Sequence, residues 1–257
     1  MQQTKVSLVV PTTICVANQK GGVGKTTTSI NLAAALAMSG KQTLLIDMDP
    51  QCNATSGLGH EPMPTHPLIG ELPLRAHAKE THLETLSVLP GSHRFHDVDL
   101  LANLGDERSQ LVVDQLQSCT GLFDFVLIDC PPSMGRLTQT ALSSSDEVLM
   151  PIQCEYFAME GLKQMIEVIR DVMRSRPGKL GFAGILLTMF DESLDLTNEV
   201  EQQVREFFGE IVFETVIPRD VMVSEAPSHC RSVMEYAPRC RGSRAYIELC
   251  MEVLGRD

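Results

Sequence analysis

The sequence lacks any apolar run that approaches the roughly 20 residues needed to cross a membrane. No signal peptide is expected either, because residues 1–13 contain Lys5 and only a short apolar run, VSLVVP. The eight cysteines show no C-x-x-C spacing, and the seven histidines show no spacing typical of metal ligands. We therefore expect a cytoplasmic protein with reduced thiols, no membrane span and no structural zinc site.

Positive charge is also scarce. The chain has 21 Lys and Arg against 33 Asp and Glu, a net charge of −12, which argues against a general affinity for nucleic acid. The C-terminal third differs, because the stretch from Arg219 to Arg244 contains five arginines and only three acidic residues, a local surplus of +2. Two interpretations stay open: these arginines form ion pairs or face solvent, or they form a DNA-binding surface.

Apolar strand-like stretches alternate with helical stretches along the 257 residues. The predicted strands cover residues 12–17, 42–47, 86–89, 124–129, 146–152, 181–187 and 211–216. The predicted helices cover residues 26–38, 108–118, 136–143, 157–176, 194–207 and 242–254. This alternation predicts an α/β fold with a mostly parallel β-sheet and helices on both faces.

The length is compatible with a single domain over residues 1–257. Residues 1–11 precede the first strand as an N-terminal arm, for which the sequence allows flexibility. Residues 61–82 are rich in proline and histidine, and we expect them to form a surface excursion.

A glycine-rich segment, KGGVGKTT at residues 20–27, lies between the first strand and the first helix. Its glycines would let backbone N–H groups converge on phosphates, and the helix would direct its positive end at them. Lys25 would reach the β- and γ-phosphates, and the Thr26 hydroxyl would take one Mg²⁺ position. The usual pattern of a phosphate-binding loop has a glycine six residues before this lysine, and here Gln19 takes that position. Lys20 directly precedes the double glycine, as in the deviant form of the phosphate-binding loop.

Two further strands end in carboxylates. Residues 42–47 run into Asp47 and Asp49, and residues 124–129 end in Asp129, as a Walker B strand does. A carboxylate at the carboxyl end of a buried strand can hold Mg²⁺ through water. The alternative for each is a helix N-cap.

The chain resembles the ParA/Soj partition ATPases, within the deviant-Walker group that also holds MinD and the nitrogenase iron proteins. The resemblance runs from about Ile14 to the last helix and leaves residues 61–108 without an assignment. It is carried by the motifs KGGVGKTTT, DMDPQCNATSGLG, FVLIDCPPS, PIQCEYFAMEGL, LLTMFD, VIPRD, SEAPSH and YAPRCRG. It implies ATP and Mg²⁺ as cofactors and weak ATP hydrolysis stimulated by a ParB-like partner.

The resemblance also implies roles for single residues. Lys20 would reach across a homodimer to the partner's phosphates, Asp49 would orient the attacking water, and Asp47 would brace the switch. The implied catalytic residues are Lys20, Lys25, Asp49 and Asp129, and the implied metal site is Thr26, Asp49 and Asp129. The implied nucleotide-binding residues are Lys20, Gly21, Gly22, Val23, Gly24, Lys25, Thr26, Thr27, Pro218, Arg219 and Asp220.

ATP is favoured over GTP at the base. Residues 188–191, TMFD, stand where a related GTPase carries Thr/Asn-Lys-x-Asp, and Met189 replaces the lysine that packs over guanine. Residues 218–220 match the loop that lines the adenine in the family, and a rigid proline edge suits a purine.

Two functions remain open. In the first, an ATP-bound dimer binds nucleoid DNA without sequence preference and moves a chromosome or plasmid; the implied DNA-binding residues are Arg219, Arg239, Arg241 and Arg244. In the second, a ParA-like ATPase positions a protein complex or division component without DNA. Membrane binding of the MinD type is not expected, because residues 252–257 form no basic amphipathic helix. A nitrogenase-type iron protein is not expected either, because no cluster-bridging cysteine pair can be assigned.

Overall fold

The computed structural model describes residues 10–69, 72–94, 106–133, 135–155, 158–175 and 180–255. Residues 1–9 of the predicted N-terminal arm lie outside the described residues. So do residues 157 and 176, the ends of one predicted helix, and residues 95–105 of the stretch without an assignment.

The described residues form one sheet of eight strands in the order β3-β4-β2-β5-β1-β6-β7-β8. Neighbouring strands are parallel except for the β3–β4 pair, which is antiparallel. The strands are β1 Thr12–Val16, β2 Thr43–Asp47, β3 Lys79–Glu80, β4 Leu86–Leu89, β5 Phe125–Asp129, β6 Glu147–Gln153, β7 Gly181–Phe190 and β8 Val212–Pro218. Strands β2 and β5 are buried at every position, because helices cover both faces of the sheet.

Helices follow most of the strands. They are α1 Lys25–Met38, α2 Asn53–Gly57, α3 Asp106–Gln117, α4 Arg136–Ser144, α5 Ala158–Ser175, α6 Asp195–Phe208, α7 Val221–Glu225, α8 Val233–Tyr236 and α9 Arg241–Leu254. One apolar core packs α1 and α9 against strand residues such as Ile14 and Leu45. A second core packs α3, α4, α5 and α6 against the alternate strand residues, such as Cys15 and Leu44. The two cores therefore lie on opposite faces of the sheet.

The strand order explains where a ligand can bind. β1 is central, and the chain leaves it for β2 on one side while β6 lies on the other. Such a switch in direction opens a crevice at the carboxyl ends of parallel strands. Asp47 and Asp129 stand side by side there, in register on β2 and β5.

The predicted fold class, a mostly parallel α/β sheet with helices on both faces, is confirmed, and the predicted strands lie within three residues of the observed ones. The antiparallel strand β3 and the short helices α2, α7 and α8 were not predicted. The surface excursion over residues 61–82 is wrong in part, because Leu68 and Leu74 are fully buried and His66 is 3% exposed. Leu68 and Leu74 belong to the same apolar core as Ile46 and Val112, which local composition does not reveal. The single domain over residues 1–257 stays a prediction.

Candidate nucleotide site

A cavity of about 550 Å³ opens at the carboxyl edge of the sheet, beside the glycine-rich loop. Most of the predicted nucleotide-binding residues come together here, whereas Lys20 and Val23 are not among the described residues that line the cavity. The lining is formed by Gly21, Gly22, Gly24, Lys25, Thr26, Thr27, Asp49, Gln51, Asn53, Pro132, Thr188, Met189, Ile217, Pro218, Arg219, Asp220, Val221, Val223, Ser224 and Tyr246.

The loop conformation depends on two glycines. Gly22 and Gly24 have φ angles of 75° and 87°, in the left-handed region that favours glycine. The loop is anchored at Val23, which is buried, and whose carbonyl accepts a hydrogen bond from the Thr188 hydroxyl at 2.9 Å. The same hydroxyl lies 3.0 Å from the carbonyl of Ile152. Thr188 therefore ties the loop to strands β6 and β7, a role that the sequence did not reveal.

Lys25 begins α1 and is 6% exposed. Its ammonium donates a hydrogen bond to the carbonyl of Lys20 at 2.8 Å. Burial lowers the pKa of Lys25, and the nearby Asp129 opposes that effect. The first turn of α1 carries no acidic residue, so its positive end can accept an anion.

Asp129 is held from two sides by α1. The Thr26 hydroxyl donates to one carboxylate oxygen at 2.8 Å, and the Ser29 hydroxyl donates to the other at 2.9 Å. Asp129 is fully buried, and this burial raises its pKa to about 8, with a further contribution from the charge of Asp47. Sequence reasoning missed Ser29, although it stands one helical turn after Lys25 and so shares its face of the helix.

The oxygen atoms at this position suit Mg²⁺, which prefers hydroxyl, carboxylate and phosphate oxygens. Within the described ranges, no group of three or more His, Cys, Asp and Glu side chains is arranged to hold a metal ion. Mg²⁺ usually binds through one or two protein side chains together with substrate phosphates and water. The pair formed by Thr26 and Asp129 fits that mode.

Asp47 and Asp49 face different surroundings. The carboxylate of Asp47 is fully buried and accepts hydrogen bonds from the N–H and hydroxyl of Thr55, at 2.8 and 2.6 Å. It also accepts the N–H of Asp49 at 3.1 Å, and burial raises its pKa to about 6. Thr55 belongs to the first turn of α2, whose N-cap residue is Cys52, so Asp47 binds a first-turn N–H without being the N-cap. Asp49 is 6% exposed and lines the cavity.

Lys20 has an acidic partner in its own chain. Its ammonium lies 2.7 Å from a carboxylate oxygen of Glu155, and the two side chains are 42% and 48% exposed. An ion pair this exposed contributes little to stability, so Lys20 can leave Glu155 at small cost.

The other end of the cavity is apolar. Met189, Ile217 and Val221 line it, together with the buried ring of Tyr246. Such a surface suits the flat face of a base rather than a phosphate.

Asp220 shapes the loop that borders this apolar end. Its carboxylate accepts the N–H of Met222 at 3.0 Å and the N–H of Gly242 at 3.0 Å, which caps α7 and meets the start of α9. A Cβ atom at Gly242 would lie 2.2 Å from a methyl group of Val223, so a larger residue there would force the Val223 side chain or its helix to shift. The geometry gives Asp220 a positioning task, and contact with nucleotide stays a prediction.

The four arginines predicted to bind DNA are exposed but differ in their surroundings. Arg219 lines the nucleotide cavity, and Arg241 lies 3.7 Å from Glu192 and donates to the carbonyl of Arg219. Within the described part of the chain, no carboxylate forms an ion pair with Arg239 or Arg244. These two are therefore the better candidates for a phosphate backbone.

None of the helices in the described ranges combines the length and the apolar character that a membrane span requires.

Comparison with known proteins gives consistent results. Residues 11–181, more than half of the chain, match the model of a family described as AAA domain. The chromosome partitioning protein ParA of Caulobacter vibrioides is 43% identical over 251 residues, which cover 95% of this chain and 94% of that protein. The sporulation initiation inhibitor protein Soj of Bacillus subtilis is 42% identical over 245 residues, which cover 93% and 97%.

Solved structures share the fold. A cobyrinic acid a,c-diamide synthase of Mycobacterium smegmatis with bound ATP analogue and magnesium has a TM-score of 0.81 and 31% identity, with 95% of each chain covered. The cell division ATPase MinD of Pyrococcus furiosus has a TM-score of 0.79 and 25% identity, with 96% of this chain and 99% of that chain covered. Because proteins of different activity share this fold, the reaction has to be argued from the site.

The chain has a glycine-rich loop on a mostly parallel sheet, and the solved structures above share its fold. These features define a P-loop ATPase of the deviant-Walker class. The relatives of known name identify the family within this class. The chain belongs to the ParA/Soj family of partition ATPases, and the resemblance carried by the sequence motifs is confirmed.

Proposed function

We propose that this protein is an ATP-dependent switch that binds ATP and Mg²⁺, dimerises, hydrolyses ATP slowly and acts in chromosome or plasmid partition. The observation that carries the proposal is the contact between Thr26 and Asp129, at 2.8 Å, directly behind the glycine-rich loop. This contact joins the phosphate-binding helix to the acidic strand end, as the binding of a magnesium nucleotide requires.

Binding is assigned to the loop and the first turn of α1. Backbone N–H groups of residues 21–27 receive the phosphates, and the buried ammonium of Lys25 leaves its bond to Lys20 to meet them. Thr26 and Asp129 would hold Mg²⁺, which when bound would neutralise negative charge on the phosphates. The apolar end near Met189 and Pro218 receives the adenine.

Hydrolysis is assigned to Asp49. It lines the cavity, its Oδ1 accepts the N–H of Gln51 at 2.9 Å, and its neighbour Asp47 is engaged with Thr55. Asp49 can therefore accept a hydrogen bond from a water molecule and orient it, while Asp47 holds the strand end. Basal turnover is slow, because Lys25 and Mg²⁺ within one chain compensate only part of the negative charge on the phosphates. A ParB-like partner would complete the site.

Dimerisation is assigned to Lys20. Its exposed pair with Glu155 breaks at small cost, and Lys20 then reaches the phosphates of a second subunit. ATP thereby shifts the population toward the dimer, and hydrolysis returns it to the monomer.

DNA binding is assigned to Arg239 and Arg244, with Arg219 and Arg241 nearer the nucleotide. Two copies in a dimer double the number of phosphate contacts, which favours association of the ATP-bound form with nucleoid DNA. The net charge of −12 favours the second function, a ParA-like ATPase that positions a protein complex without DNA. Retention of the ATP-bound protein on duplex DNA at low salt separates the two.

The test of the nucleotide site is thermal unfolding of Lys25→Ala. At 100 times its Kd, ATP with Mg²⁺ should stabilise the wild type by about 2.7 kcal/mol, and this stabilisation should be absent in the variant. Lys41, which follows the end of α1 at Met38 and does not line the cavity, gives the matched control Lys41→Ala, which should keep the stabilisation. Stabilisation that survives in Lys25→Ala, or a far larger effect of GTP than of ATP, would contradict the assignment.

A further inference from the structure

His66 lies in the segment between α2 and the 3₁₀ helix Pro67–Ile69, and its side chain is 3% exposed. Its Nδ1 accepts a hydrogen bond from the N–H of Leu68 at 3.2 Å, and its Nε2 lies 3.0 Å from the carbonyl oxygen of Asp47. An N–H can only donate and a carbonyl can only accept. The ring is therefore neutral, with its proton on Nε2, and it donates a hydrogen bond to Asp47.

The hydrogen bond from His66 satisfies a backbone carbonyl, that of Asp47, which receives no donor from the neighbouring strand. The odd-numbered residues of β2 direct their backbone groups toward β4, as the N–H of Thr43 does. In this parallel register the N–H of Gly91 would be the next donor for the carbonyl of Asp47. Gly91 donates instead to the hydroxyl of Thr55, at 2.9 Å. His66 thus supplies the donor that the β-ladder does not.

The opposite side of the same strand end is held by β5. The N–H of Met48 donates to the carbonyl of Asp129 at 3.0 Å. The turn that leads from Asp47 to Asp49 is therefore fixed from both sides, by β5 and by His66. The N–H of Asp49 is in turn bound to the carboxylate of Asp47, at 3.1 Å.

We propose that His66 is a positioning residue for ATP hydrolysis, which sets the Asp49 carboxylate against the cavity by holding the carbonyl of Asp47. The inference rests on the role proposed above for Asp49. Without the donor, a buried carbonyl loses its partner, and the strand end can recover one only by moving. Displacement of a catalytic group by about 1 Å can slow a reaction by about 100-fold. The phosphate cradle depends on β1, α1 and Thr188, so nucleotide affinity changes little.

Two variants of the full chain separate the donor from the rest of the ring. His66→Asn keeps a side-chain acceptor for the N–H of Leu68, as in an Asx turn, but is too short to reach Asp47. His66→Gln carries N–H donors at about the reach of Nε2. For both variants and for Asp49→Ala we would measure single-turnover ATP hydrolysis, the Kd for ATP with Mg²⁺, and deuterium exchange of backbone amides 47–55.

His66→Asn should hydrolyse ATP at least about tenfold more slowly than the wild type, with Kd within about threefold and faster exchange at residues 47–55. His66→Gln should recover a rate within about threefold of the wild type. A wild-type rate in His66→Asn, or equally slow hydrolysis in both variants, would overturn the inference. Should His66→Asn fail to fold, His66→Gln decides by the same criterion: recovery supports the inference and slow hydrolysis overturns it.

Asp49→Ala keeps the two proposals apart. If it is slow while His66→Asn is fast, the role of His66 fails and the proposed function stands. If it hydrolyses at the wild-type rate while His66→Asn is slow with faster exchange, the role of Asp49 fails, and His66 positions the strand end through another group.

Discussion

Replacement of Asp220 by alanine should destabilise the folded protein without nucleotide. The two carboxylate oxygens of Asp220 accept the N–H groups of Met222 and Gly242, each at 3.0 Å. Loss of an N-cap aspartate costs typically about 1 kcal/mol. Because this carboxylate serves the ends of two helices, we expect a loss of about 2 kcal/mol, which for a chain of this length lowers Tm by about 4–8 °C.

The assay is urea unfolding of the nucleotide-free protein at pH 7. Asp220→Asn keeps one acceptor and should lose about half as much stability. Asp171→Ala removes a carboxylate from an exposed ion pair with Arg174 and should stay within about 0.5 kcal/mol of the wild type. A loss below about 0.5 kcal/mol in Asp220→Ala would refute the reasoning.

Dependence on pH provides a second check. Burial, the largest single influence, would raise the pKa of Asp220, but the hydrogen bonds from Gly242 and Met222 outweigh it and lower the pKa below 3.8. A lowered carboxyl pKa contributes stability above the unfolded value, and this contribution is lost as pH falls through the folded value. The difference between wild type and Asp220→Ala should therefore shrink below pH 3.8.

Two further predictions concern ligands. At pH 7, binding of ATP with Mg²⁺ should release up to about one proton per chain, because the pKa of Asp129 is about 8 in the free protein and the metal requires the carboxylate. Calorimetry in buffers of different ionisation enthalpy should detect this proton release. The release should fade above pH 8 and should be absent in Asp129→Asn. Replacement of both Arg239 and Arg244 by alanine should weaken ATP-dependent retention on duplex DNA and reduce its salt dependence by about 0.9 in logarithmic slope for each lost phosphate contact, whereas Arg174→Ala should not.

The sequence predicted the fold well where the signal is local. Runs such as residues 42–47 are apolar throughout, and the strands that they form are buried on both faces. Strand β3 has two exposed residues, Lys79 and Glu80, and is a strand only because it pairs with β4. Leu68 and Leu74 are buried by packing between distant segments, so composition alone assigned them to the surface.

The site follows the same rule. The spacing within residues 20–27 is local, and six of these eight residues line the cavity, whereas Lys20 and Val23 are not among the described lining residues. The pair of Lys20 with Glu155 and the bond of Asp220 to Gly242 join residues 135 and 22 positions apart. His66 bonds to the backbone carbonyl of Asp47. Every residue has such a carbonyl, so the residue type at position 47 gives no sign of this contact. Such contacts form only in the assembled sheet, and no sequence motif predicts them.

The most direct test of the proposed switch is the mass of the protein in solution, measured by light scattering with and without ATP and Mg²⁺. We expect the wild type to change from its chain mass of 28.3 kDa to twice that value when ATP is bound. Lys20→Ala should bind ATP yet stay at the mass of one chain, and Lys41→Ala should dimerise as the wild type does. A wild type that stays monomeric with saturating ATP would contradict the proposed ATP-dependent dimer, and a Lys20→Ala variant that dimerises as readily would contradict the role of Lys20.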